Sequence, residues 1–103
     1  MSMHTCYLCG RITYTERHHM LSGANRKLSE ADGLVVNLCH ACHNEPPNGA
    51  HFNRETMLYL KRQGQTWYEE KKIAEGMSPE EARESFMQRY GKNYLWEERE
   101  KNE

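Results

Sequence analysis

Two Cys-x-x-Cys pairs, Cys6/Cys9 and Cys39/Cys42, constrain this chain more than any other feature. Each pair can present two sulfurs to one metal from a single tight turn, and four thiolates close a tetrahedral zinc site. Such a site leaves no position for water or substrate, so its role is structural. Free thiols or a redox pair are the alternatives. Zinc also answers a shortage of core: only 37% of the 103 residues are apolar, and mean hydropathy is -1.02. Small chains bury a smaller share of their surface, and a structural zinc compensates with roughly 10–16 kcal/mol of apparent binding energy.

The length fits a single domain, residues 1–103. The start lacks a basic stretch followed by an apolar run, and no segment approaches the roughly 18 apolar residues of a membrane span. A cytoplasmic location, reduced thiols and no membrane partner are the resulting expectations. Net charge is -1, which excludes a global basic footprint for nucleic acid. All six histidines fall before residue 55, so an acidic partner would be held there by local groups and bound metal.

The chain divides near Asn53 into a knuckle-and-histidine segment, 1–53, and a helical extension, 54–103. In the first segment Tyr7 to Gly10 reads as a knuckle turn. Ile12–Tyr14, Arg17–Leu21 and Leu34–Leu38 are strand candidates, and Ser22–Lys27 is a loop. A brief helical turn follows Cys39 and ends at Pro46-Pro47. In the second segment Asn53 caps a helix from Arg54 to about Gln63, with Gly64 just past its end. Thr66 with Glu69 forms a capping-box pattern for a second helix, to about Gly76. Ser78, Pro79 and Glu81 open a third, which stops at Gly91. Met57, Leu58, Leu60, Trp67, Tyr68, Ile73, Phe86, Met87, Tyr90 and Leu95 are spaced for packing.

Between the two cysteine pairs lie His18 and His19, and His43 follows Cys42 directly. Adjacent residues of a strand point to opposite faces, so His18 and His19 do not chelate one ion together. That geometry suits a hydrolase in which one histidine is a ligand and the other a general base. A surface pair or a core histidine is the plain alternative. His51 precedes the cap at Asn53 and is a candidate third ligand, or a residue that packs locally. His40 reads as solvated or as a donor to sulfur, and His4 as a surface residue.

The pattern Cys6-x-x-Cys9, His18-His19, Leu38-Cys39-x-x-Cys42-His43 resembles the HNH endonucleases of the ββα-metal superfamily, over about residues 4–53. His19 to Ser29 followed by Gly33 to Val36 is similar to small HNH proteins of phages and prophages; Tyr90 to Leu95 resembles them more weakly. The resemblance implies an α+β fold: a small zinc-stabilised ββα-metal core with a short antiparallel hairpin, followed by C-terminal helices. It implies that His19 is the general base, that His18 and His43 hold a catalytic divalent cation, and that the four cysteines hold the structural zinc. The cation implied is Mg²⁺ or Mn²⁺, with Ni²⁺ or Zn²⁺ also suited to histidine ligands. Where the family has its central asparagine this chain has Leu34; Asn25 and Asn37 are the nearest residues that could support the loop. Arg17, Arg26 and Lys27 flank the site and could hold DNA phosphates.

The function expected from the resemblance is phosphodiester hydrolysis by a one-metal endonuclease. DNA is then the partner, and phage replication, recombination or packaging proteins are candidate associates. The alternative is a non-catalytic zinc module that binds nucleic acid or protein, its histidines only supporting the fold.

Overall fold

The computed structural model describes residues 3–95. Its elements are β1 (Met3–Thr5), β2 (Ile12–His19), a 3-10 turn (Gly23–Asn25), α1 (Arg26–Ala31), β3 (Val35–Cys39), α2 (His40–Asn44), α3 (Arg54–Ala74) and α4 (Pro79–Tyr90). The strands form one antiparallel sheet in the order β1-β2-β3. The expected α+β class and hairpin are present, and β1 adds a third strand at the edge. Among the described residues no helix is long and apolar enough to cross a membrane.

The two short strand candidates at Ile12 and Arg17 are one continuous strand, because β3 pairs along its second half, from Thr15↔Cys39 to His19↔Val35. The loop expected at Ser22–Lys27 gives way to α1 at Arg26. Asn25 stands at the N-cap of that helix and is a capping residue type, but its side chain makes no cap hydrogen bond. Residues 29 to 34 are tied together from inside. The buried Ser29 hydroxyl accepts from Leu21 N at 3.2 Å and donates to the Leu34 carbonyl at 2.6 Å.

The helical extension differs most from expectation. Arg54–Ala74 is a single helix, and Gly64 lies buried inside it rather than past its end. A Cβ on Gly64 would stand 2.7 Å from Leu21 Cδ2 and 3.0 Å from Met20 Cβ. The glycine is therefore a close-approach site, where α3 lies against the residues that follow β2. The Thr66–Glu69 capping box does not form, since the backbone there is mid-helix. Glu69 instead accepts from Arg83 Nε at 2.6 Å and Gln65 Nε2 at 2.7 Å, joining α3 to α4. The other signals hold. Asn53 Oδ1 accepts from Thr56 N at 3.0 Å. Ser78 and Glu81 make a capping box with Pro79 at the first position, and α4 ends at Gly91 with φ 77°.

One core joins the two segments. Met20, Leu21, Leu34, Val36 and Leu38 from the sheet side pack with Leu60, Tyr68, Phe86 and Tyr90 from the helices. Phe86 stacks on Tyr90 at 4.6 Å between centroids. Ile73 and Met87, expected to pack, stay exposed. The first knuckle is seated on α3 by Tyr7 against Trp67, edge to face at 5.6 Å.

Candidate metal centres

The first knuckle forms because the chain folds back within six residues. Cys6 N donates to Arg11 O at 2.8 Å, and Gly10 N donates to Cys6 O at 2.9 Å. Gly10 supplies the positive φ, 79°, that this turn needs. Tyr7 N then donates to Asn37 O at 2.8 Å, setting the knuckle beside β3. Cys39 ends β3 and precedes the first turn of α2, which delivers Cys42.

The four sulfurs all lie within 4.8 Å of one another, and Cys9 and Cys39 are 3.8 Å apart. Zn–S bonds of ~2.3 Å in a tetrahedron set sulfurs about 3.8 Å apart, so the cluster fits zinc. Its electrostatics fit too. Burial opposes ionisation of Cys6, but the N–H groups of Cys9, Cys39 and Leu8 outweigh it and bring the thiol down to about 6. Burial and the neighbouring sulfurs push Cys42 up. Four thiolates ionise together only around a cation.

A second cluster is made of His18, His43 and His51, with ring nitrogens within 4.8 Å of one another. His18 comes from β2, His43 from α2, and His51 from the return after Pro46-Pro47. That return folds tightly onto α2: Ala50 N donates to Cys42 O at 2.8 Å and His51 N to His43 O at 3.2 Å. It requires Gly49, where a Cβ would stand 2.5 Å from the Glu45 carbonyl oxygen. His43 Nε2 and His51 Nε2 are 3.1 Å apart. Donors sharing one ion at ~2.0–2.1 Å lie roughly 3.0–3.4 Å from each other.

His18 is 2% exposed, and its Nε2 is buried with no hydrogen-bond partner. An orphaned buried nitrogen costs about 1–3 kcal/mol, a cost that a bound cation removes. Burial, then the nearby imidazoles, lower the His18 pKa to about 4, which keeps the ring neutral and its lone pair free. Burial and His43 lower His51 as well. Behind His43 stands Glu16, whose Oε1 lies 2.8 Å from Nδ1. A carboxylate there makes Nδ1 the donor and points the Nε2 lone pair at the cluster. Glu16 also takes Asn44 Nδ2 at 3.0 Å and His40 Nδ1 at 2.9 Å; the histidine bonds hold its carboxyl below the usual range.

The strand's alternation divides the labour. Glu16 and His18 share the face that meets His43, while Arg17 and His19 share the face that meets Glu30 of α1. His19 Nε2 lies 2.8 Å from Glu30 Oε1, and Arg17 Nε lies 3.2 Å from the same oxygen. Arg17, then His19, hold the Glu30 carboxyl down to about 2, so it is ionised at neutral pH. Both faces open at the end of β2 into one cleft of about 390 Å³, lined by Arg17, His18, His19, Ser22, Gly23, Arg26, His43 and His51.

Lys27 is exposed on α1 and does not line the cleft. Asn25 Nδ2 donates to the Tyr90 carbonyl at 3.0 Å, and Asn37 meets the knuckle through its backbone, so neither has a hydrogen bond to His19. Leu34 is buried in the core, and the loop it belongs to is tied by Ser29 instead. Glu16 and Glu30 are the residues that sequence reasoning missed. Glu16 was within reach, since it sits two residues before His18 and so on its face. Glu30 had no such signal, because its place beside His19 depends on α1, a helix of only six residues.

No protein-family model matches this chain significantly, and neither does any curated protein or solved structure.

Proposed function

We propose that the chain is a metal-dependent DNA endonuclease of the HNH, ββα-metal kind. The observation that carries this reading is the convergence of His18, His43 and His51 beside His19, in one cleft, with the His18 Nε2 unpartnered. A divalent cation held there would polarise a phosphodiester and offset charge developing on the leaving oxygen. The chain's own residues supply the rest. Glu30 fixes His19 Nε2 as a donor, which leaves Nδ1 as the proton acceptor. His19 takes a proton from water as the water oxygen attacks phosphorus, the bond to the 3′ oxygen breaks, and that oxygen is protonated from solvent. Arg26 at the rim is available to a phosphate, whereas Arg17 is engaged by Glu30.

The second reading, a non-catalytic zinc module that binds nucleic acid or protein, is favoured by Leu34 in place of the family's asparagine. Nicking of supercoiled plasmid with Mn²⁺ or Mg²⁺ decides between them. The native protein should nick, and His19→Ala should lose about 10²–10⁴-fold in rate. A native protein inert with every divalent cation sinks the nuclease reading. Equal rates for the two proteins sink the assignment of His19.

A further inference from the structure

We propose that a second cleft, between α3 and the segment after α4, is a phosphodiester subsite that holds a nucleic-acid backbone next to the histidine cleft. The nature of its ligand rests on the nuclease reading; its geometry does not. The cleft has a volume of about 300 Å³, and Arg54, Lys61 and Lys92 converge on it with no acidic side chain among the described residues of its lining. In a chain of net charge -1 this is a local excess of cations. None of the three enters an ion pair among the described residues. Three other cations of the helical extension are matched by contrast: Arg83 by Glu69, Arg89 by Asp32, and Lys72 by Glu75.

The site is partly prearranged. Lys61 Nζ lies 5.5 Å from the centre of the Tyr94 ring, a cation–π placement that holds the ammonium in the cleft. Arg54 projects from the first turn of α3, where the Asn53 cap fixes the backbone. The two clefts also meet. Ser22, which lines the histidine cleft, contacts Met57, which lines the basic one, at 3.7 Å between Oγ and Sδ. This second anchor adds to the first cleft, where Glu30 neutralises Arg17 and leaves Arg26 as the cation at the rim. Phosphate contacts of this kind hold a strand in register without reading its sequence.

The test is binding of a fluorescein-labelled DNA duplex, followed by anisotropy across a KCl series without added divalent cation. The zinc-loaded native protein is compared with Lys61→Gln/Lys92→Gln, and with Lys71→Gln/Lys72→Gln at the far end of α3. Each lost phosphate contact lowers the slope of log K against log salt by about 0.9, so the first pair should lower it by about two and the control pair by far less. An unchanged slope, or an equal fall in both pairs, overturns the subsite. If the first pair does not fold, Lys92→Gln alone, at an exposed position, should lower the slope by about one. A slope change in a protein that never nicks plasmid supports the subsite and sinks the nuclease reading. Nicking with an unchanged slope does the reverse.

Discussion

The two clusters use the same β3–α2 corner and differ in what they leave open. Four sulfurs, enough to saturate one ion, lie within 4.8 Å of one another, with Cys6 and Cys39 buried and Cys9 exposed. Three imidazoles gather at the mouth of a cleft, with His51 exposed and His18 buried behind it. A tetrahedral ion saturated by four protein ligands can only brace the fold, whereas three ligands leave a position for water or substrate. Cys42 and His43 are neighbours in sequence, so one turn of α2 serves both centres.

Stripping the metals should separate the clusters most sharply. Zinc removal from the sulfurs forfeits an energy of roughly 10–16 kcal/mol, more than a domain of this size has to spare, so Cys39→Ser or a strong chelator should abolish the far-ultraviolet dichroism of the fold. A protein that stays folded without zinc would make the sulfur cluster dispensable. His43→Ala should behave oppositely, retaining one zinc and its fold while losing the second cation by calorimetry. Nicking should then fall by a factor of about a hundred or more. Should His43→Ala instead unfold, both centres would be structural.

Subtler changes sharpen the contrast. Glu30→Gln removes the charge that orients His19 but touches no cation ligand. Nicking should fall about tenfold to a hundredfold, with calorimetric cation binding unchanged. A parallel loss of both would place Glu30 among the ligands. Gly64→Ala crowds Leu21 and Met20, just beyond the histidine pair. It should lower stability by about 1–3 kcal/mol in denaturant titrations while zinc content stays at one, because the sulfur cluster lies elsewhere. Unaltered stability would show that α3 can shift freely over Met20.

The sulfur cluster was legible because each pair is local: two cysteines in one turn face one ion whatever the rest of the chain does. His43 was legible for the same reason, being tied to Cys42. His51 was readable only as an option, since its return depends on the fit of Gly49 against Glu45. Gly64 misled because one residue type serves two purposes. A helix stop and a close helix contact both call for glycine, and only the position of Met20 and Leu21 distinguishes them. Likewise Thr66 and Glu69 have cap spacing, but tertiary packing kept the helix going and gave Glu69 to Arg83. Glu30 was invisible because its meaning depends on α1, a six-residue helix whose N-cap side chain, Asn25, bonds the Tyr90 carbonyl instead of the helix start.

The connection between β2 and β3 is fastened at both ends to the last turn of α4. Asn25 binds the Tyr90 carbonyl, and Asp32 binds the Arg89 guanidinium and the Tyr90 hydroxyl. A chain emerging from the ribosome thus exposes every cysteine and histidine of both clusters long before it can fasten the helix that bears Glu30. Ligand capture can be early and cotranslational, but alignment of His19 must wait until α4 has been made.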